Sequence, residues 1–397
     1  MNQTANSVSA LRNKGMMLRQ MKRYKPKSLQ KALETQAPTL RTMDQLYDCF
    51  YEYSRNLMVP KTPIPTTINL EKREQNQSEL RIILPLATDS AARLKIADSE
   101  GHIRIGRLLE AVDIVAPCSC YMLNRSDLES KWFAEGTLPR MFVTSKIHQI
   151  SLNDAYRISP YHDLYLTGKV TWTGENHSEA TVSVQQNGNT MLTAKLVFAS
   201  LNAQNTTQKY AVNQLSPTTS YETELLNRRQ KVNTTKAITP ELLALEKPEV
   251  KDGEITMSST ALETVLVAHP ENENPYGSVF GGFLVRQGIE TAELCAKLFA
   301  KSDVRAISLD SAEFLKVIEI GSVLKFNSYV CNVSGNIVQV CSQAEVYNEA
   351  THKFEVCDRF LFSFEAENPS KCVLPQVVPH NMQEFVAQWK AKNTPKI

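Results

Sequence analysis

Apolar and polar positions along this chain fall into two groups of strand-like runs, each organised around one helix-like run. In the first group, Glu79–Leu86 reads as a strand. A helical stripe follows from about Ile105, through Leu108, Leu109, Val112 and Ala116, and is expected to stop near Pro117. Four β-rich runs come next, "MFVTSKIHQI", "DLYLTGKVTWTG", "EATVSVQQNG" and "MLTAKLVFASL", with a hairpin signal in "NGN" at 187–189. The second group repeats the order. Strand "ALETVLVAH" leads into a glycine-containing turn and a long helix from Gly281. Then come "RAISLDSAEFL", "SVLKFNSYVCNV", "NIVQVCSQAEVY" and "KFEVCDRFLFSFE". Further helices are expected at 42–57, from Ser220 behind the capping box Thr219-x-x-Glu222, at "TPELLALEKP", and at "MQEFVAQWKA".

The two groups align at an offset of 176 residues, which sets Gly106 on Gly282, Gly101 on Gly277, Asp98 on Asn274 and Leu108 on Leu284. A duplicated domain is the natural reading, since the period is far longer than that of a solenoid. Strands and helices do not alternate, so a parallel sheet is disfavoured. The fold class expected is α+β: two tandem units, each one long helix against one curved antiparallel sheet. The expected boundaries are a basic head at 1–40, a first unit at 76–203, a helical linker at 204–256, a second unit at 257–367 and a tail at 368–397. The two sheets are expected to be continuous side by side.

Charge changes the picture at one end. The first 33 of the 397 residues hold eight Lys/Arg and no acid, leaving 36 Lys/Arg against 42 Asp/Glu in the rest. Basic residues spaced by Ser, Asn, Met and Leu are the composition of a mitochondrial presequence, so a mitochondrial location is expected, with a basic tail as the alternative. No apolar run is long enough to span a bilayer. The eight cysteines lie mostly in apolar runs and form no C-x-x-C pair, which fits buried free thiols better than disulfides or a zinc site.

The stretch P-E-x-x-N-x-x-G-x-V-F-G-G-x-L, from Pro270 to Leu284, resembles the signature of hotdog-fold acyl-CoA thioesterases. "HIRIGRLLEAVD" in the first unit and "FLKVIEIGS" in the second also resemble that family's double-hotdog, mitochondrial type. The resemblance covers roughly 78–366. It implies hydrolysis of acyl-CoA to a fatty acid and CoA, without metal or cofactor, in a homo-oligomer of fused pairs, with no nucleic-acid partner and no membrane span. In the family an acidic residue seven places after the second glycine works with an Asn from the other unit. Here that acid is Asp113, and the Asn is Asn274. The equivalents Ile289 and Asp98 lack the required chemistry, so one intact site and one degenerate site are expected. Gly281 and Gly282 open the helix, where unpaired N–H groups suit a developing oxyanion. Arg104, Arg107 and Lys316 are candidates for the CoA phosphates. Glu290 is read as solvated, in i,i+4 pairs Arg286–Glu290 and Glu293–Lys297 on one polar face. Two other readings stay open: a hotdog hydratase, and a non-catalytic acyl-CoA-binding protein.

Overall fold

The structure is a computed structural model, and it describes residues 41–42, 70–124, 140–231, 250–367 and 374–393, apart from single positions 153, 206, 275 and 380. All of them belong to one compact body, 38–397; the segment 1–37 is a separate unit outside the described residues. The expected helices at 42–57 and 239–248 also lie outside them. No described helix is long and apolar enough to cross a membrane.

The strands are β1 Arg41–Thr42, β2 Lys72–Arg73, β3 Leu80–Leu84, β4 Arg140–Ser151, β5 Leu164–Thr173, β6 His177–Gln186, β7 Asn189–Asn202, β8 Gln214–Leu215, β9 Glu254–Thr256, β10 Leu262–Val267, β11 Val304–Phe314, β12 Val323–Ser334, β13 Ile337–Asn348, β14 Lys353–Ala366 and β15 Gln376–Val378. The helices are α1 Ser90–Ile96, α2 Ile105–Leu123, α3 Ser220–Lys231, α4 Gly281–Ala300 and α5 Met382–Asn393. One sheet of 11 strands runs in the order β1-β3-β5-β6-β7-β4-β11-β14-β13-β12-β10. The first repeat supplies β3 to β7 and the second β10 to β14. Numbered within each repeat, the order is first-third-fourth-fifth-second in both, read from opposite ends of the sheet.

The two second strands meet at the seam. β4 and β11 pair antiparallel, with Ile150 opposite Leu309 and Ile147 opposite Ala312, so the two five-stranded sheets form one. Alternation fixes which face is buried: Phe360, Phe362 and Phe364 of β14 are all fully buried, and Phe360 lies against Gly288 of α4. Asn187 and Gly188 take φ of 51° and 81° in the β6–β7 hairpin, the left-handed pair that a two-residue turn of this kind requires. The capping box at α3 is formed as its sequence indicates, with Glu222 N–H donating to Thr219 Oγ1 and Thr219 N–H to the Glu222 carboxylate. Cys118, Cys120, Cys295, Cys331, Cys341 and Cys357 are free thiols.

One boundary differs from expectation. α2 does not stop near Pro117 but carries it inside and runs on to Leu123. Proline removes the bond that residue 117 would donate to the Asp113 carbonyl, a penalty of about 3 kcal/mol. α2 is buried on most of its surface, including Leu108, Val112, Val115, Ala116, Cys120 and Leu123. At roughly 1.5–3 kcal/mol for each fully buried large apolar side chain, that burial outweighs the lost bond.

Each long helix thus packs against the sheet of its own repeat, and α2 and α4 also contact each other. Both repeats are hotdog units. The seam between them is where the two helix starts are brought beside residues of the opposite repeat.

Candidate functional site

The polar turns before α2 and α4 are built in the same way. Asp98 Oδ1 accepts from the N–H groups of Glu100 and His102 at 2.9 and 2.8 Å. Asn274 Oδ1 accepts from Tyr276 and Ser278 at 2.9 and 3.1 Å. Gly101 and Gly277 hold φ of 84° and 81° within these turns, a conformation that favours glycine. Bridges Ala97–Ile103 and Glu273–Val279 close both. The first job of Asp98 and Asn274 is therefore to fold a turn. Asn274 keeps something Asp98 lacks, an amide donor, held among the described residues by a 3.5 Å contact from Nδ2 to the Val279 carbonyl.

The turn of the second repeat reaches the first. The phenols of Tyr276 and Tyr121 hydrogen-bond each other, and both accept from the Phe142 N–H of β4, at 3.2 and 3.3 Å. Burial pushes the Tyr276 phenol up to about 12. The Asn274 turn is thereby clasped to β4 two residues from Thr144.

Asp113 sits on the buried side of α2, 4 % exposed. Its carboxylate accepts from the Gly282 backbone N–H at the start of α4, in the opposite repeat. The Thr144 hydroxyl stands 3.4 Å from Oδ1. Burial pushes this carboxyl up to about 7; the Gly282 and Thr144 donors pull it down, and the nearby Glu110 charge adds to the rise. A Cβ on Gly281 would stand 3.3 Å from Asp113 Oδ2, and one on Gly282 3.1 Å from Asp113 Cβ and 2.6 Å from the Phe280 ring. The glycine pair therefore lets the start of α4 approach a buried carboxylate closely, with the Gly282 N–H directed at it.

At the pseudo-equivalent place, Gly106 of α2 faces α4. A Cβ there would meet Arg286 Cγ at 2.8 Å, Ile289 Cγ2 at 3.2 Å and Glu290 Oε1 at 3.2 Å. Ile289 stands where Asp113 stands in the other half. Arg104, just ahead of α2, closes a 2.6 Å ion pair onto Glu290. Glu293 lies near the Glu290 and Asp98 charges; burial first, then those charges, push it up to about 7.

The expected polar face on α4 is not formed. Arg286 is 8 % exposed and bonds Glu110 of the other repeat, Nε to Oε1 at 2.8 Å, while Lys297 pairs with Asp303 at 2.6 Å. Glu290 pairs across the seam with Arg104. The reason is geometric: the helices pack closely enough that partners on the opposite helix outcompete partners one turn along. Glu110 and Arg286 are themselves 176 residues apart, so two equivalent positions touch and the pseudo-twofold axis passes between them. Arg107 also reaches Glu110, at 2.9 Å. Burial still pushes the Glu110 carboxyl up against both guanidiniums.

The candidate phosphate contacts are found in ion pairs: Arg104 with Glu290, Arg107 with Glu110, and Lys316 with Glu355 at 2.7 Å on the surface. Thr144 and Tyr276 carry no sequence signal that marks them. The Glu110–Arg286 contact does carry one, because opposite charges fall on the same position of two helices aligned at the repeat offset.

A carboxylate from one hotdog repeat against the glycine helix start of the other defines the chain as a double-hotdog protein with its candidate site at the repeat seam. No protein-family model matches it. It is similar to mouse mitochondrial acyl-coenzyme A thioesterase 9, 25% identical over 360 residues that span 82% of this chain and 80% of the relative. It is also similar to mitochondrial acyl-coenzyme A thioesterase 4 of Humulus lupulus, 27% identical over 342 residues, 77% of this chain and 63% of that protein. Among solved structures, an acyl-ACP thioesterase from Bacteroides thetaiotaomicron aligns over 74% of this chain and 100% of its own, at 15% identity and a TM-score of 0.43.

Proposed function

We propose that the chain is an acyl-CoA thioesterase with one working site per chain, at the seam between Asp113 and the start of α4. The observation that carries this reading is the buried Asp113 carboxyl, held near 7 and aimed at the Gly282 N–H of the opposite repeat. A carboxyl poised there is partly ionised at neutral pH and suits a general base. It takes a proton from water as that water attacks the thioester carbonyl. First-turn N–H groups of α4 and the Asn274 amide receive the charge that develops on the carbonyl oxygen. The CoA sulfur leaves as a thiolate, which a thiol of ordinary acidity, pKa about 8.5, allows without a strong acid. The fatty acid and CoA are the products. Neither α2 nor α4 contains a histidine, which weighs against a hydratase built on a helix His–carboxylate pair. The Gly106 half, with Ile289 in place of the carboxylate and Glu290 engaged by Arg104, is the degenerate counterpart. The relatives named mitochondrial and the acid-free basic head support a mitochondrial location.

The test is thiol release from a panel of acyl-CoAs. Asn274→Asp is the informative variant, because Asp98 shows that an aspartate folds this turn with the same two acceptor bonds. The variant is expected to melt like the parent and to lose turnover by about two orders of magnitude, the scale of one oxyanion donor. Full activity in Asn274→Asp together with full activity in Asp113→Asn would overturn the site.

A further inference from the structure

The face of the sheet away from α2 and α4 carries a polar row that runs from strand to strand across the seam. Lys146 on β4 stands opposite Glu313 on β11, Glu313 opposite Arg359 on β14, and Arg359 opposite Gln343 on β13. Their strand neighbours Ile147 and Phe360 are buried, so the row points outward. Helix α5 covers part of this face. Between helix and sheet lies a cleft of about 250 Å³ whose lining includes Ser311, Glu313, Gln343, Arg359, Leu361 and Lys390.

Among the described residues of the lining, cations outnumber carboxylates: Glu313 is the one carboxylate, and Lys390 of α5 takes it in a 2.6 Å bond. Arg359, directly opposite Glu313, makes no hydrogen bond or ion pair among the described residues, and neither does Lys146 one strand further on. Both are half-buried. The fields of Arg359 and Lys390 both reach the buried Cys341 thiol in the same lining and pull it down, against the larger effect of burial. A half-buried guanidinium without a counter-charge is held at a cost unless an anion completes it. A guanidinium is also the side chain whose planar fork matches phosphate oxygens.

We propose that this cleft binds a small phosphate-bearing ligand, gripped by Arg359, with the Gln343 amide and Ser311 hydroxyl as further donors and Lys146 and Lys390 supplying charge. Among the described residues two cations line the cleft against one carboxylate and a third stands beside it, which favours a dianion over a monocarboxylate. Leu361 and Val386 give an apolar wall to whatever the phosphate is attached to. The site is on the opposite face of the sheet from Asp113 and does not depend on the hydrolytic reading.

The experiment is thermal melting of the full chain against inorganic phosphate, glycerol phosphate and butyrate, each at ionic strength matched with chloride. A saturable rise in Tm, on the order of 2 °C, is expected with a phosphate but not with butyrate. A larger rise with the ester identifies an esterified ligand, and a larger rise with inorganic phosphate identifies the free ion. Arg359→Gln abolishes the rise. Lys146→Gln, on β4 beside the cleft, weakens it several-fold and serves if Arg359→Gln folds poorly. Absence of a saturable rise in the parent, or an unchanged rise in both variants, overturns the proposal.

Discussion

Replacing Asp113 with asparagine should make the protein more stable and less active, and the gain in stability should depend on pH. The carboxyl moves from an ordinary 3.8 to about 7 in the folded state, mainly through burial. The folded state therefore binds the Asp113 proton more tightly than the unfolded state does. Between about pH 4 and pH 7 the unfolded chain releases that proton first, so this group's contribution to stability falls as pH rises through the window. Above about pH 7 both states are ionised and the penalty is complete. At about 1.4 kcal/mol per pH unit, the displacement amounts to about 4 kcal/mol at pH 8 and about 1 kcal/mol at pH 4.5. Asparagine keeps the shape, and its carbonyl still accepts from Gly282 and Thr144, but it has no charge to bury. Urea unfolding of parent and variant at several pH values reads the difference. The variant should gain about 3 kcal/mol more, relative to the parent, at pH 8 than at pH 4.5. Asp358 and Glu293 are also pushed up to about 7 and impose a slope of the same sign, but they are present in both proteins and cancel in the difference. The parent's kcat/KM should rise through an apparent pKa near 7 that the variant lacks, with turnover lower by about 100-fold or more. A variant no more stable than the parent at pH 8, or a difference that does not change with pH, would show that Asp113 is not the buried, proton-holding group described.

Three other outcomes are expected. Glu110→Ala leaves the Arg286 guanidinium buried without a counter-charge and should cost about 3–5 kcal/mol by urea unfolding, with Glu110→Ala/Arg286→Met recovering much of it. Glu290→Gln breaks an ion pair whose partners are each about a third exposed; it should cost less than about 1 kcal/mol and leave thiol release within about 3-fold of the parent. Residues 1–40 fused to a fluorescent reporter should carry it to mitochondria, and a cytosolic reporter would assign the basic head another role.

Much of the fold was legible because it is written twice. The alternation of β5 or β14 taken alone indicates a half-buried strand, but the same order of runs at one offset fixes which strand corresponds to which. Pro117 misled because proline is a local signal, and the burial that carries α2 past it comes from strands brought in by the fold. The pairing of Arg286 was misread for a related reason. Helical spacing names Glu290 as its neighbour, whereas Glu110 becomes its neighbour only when α2 and α4 pack across the seam. Asn274 was legible as a position but not in its local work, since its acceptor oxygen is spent on the turn and only Nδ2 is left to offer. Thr144 lies on a strand with nothing to distinguish it from other outward or inward threonines, and only the approach of Asp113 gives it meaning.

The asymmetry between the repeats has a direction once the seam is known. In a dimer of identical chains, residues touching across the twofold axis are necessarily the same, so Glu110 would meet another Glu and Arg286 another Arg, a buried like-charge contact. Fusing the repeats in one chain lifts that restriction, and opposite charges occupy the axis. The same freedom extends to the two helix starts. Each draws one turn and one glycine from its own repeat and one helix position from the other. The Gly282 start combines the Asn274 turn with Asp113, and the Gly106 start combines the Asp98 turn with Ile289. Both departures from the proposed pair therefore fall on the same start, as the one-site proposal requires. At the Gly106 start Arg104 and Glu290 close an ion pair and Ile289 packs under Gly106, so these residues tie the two repeats together.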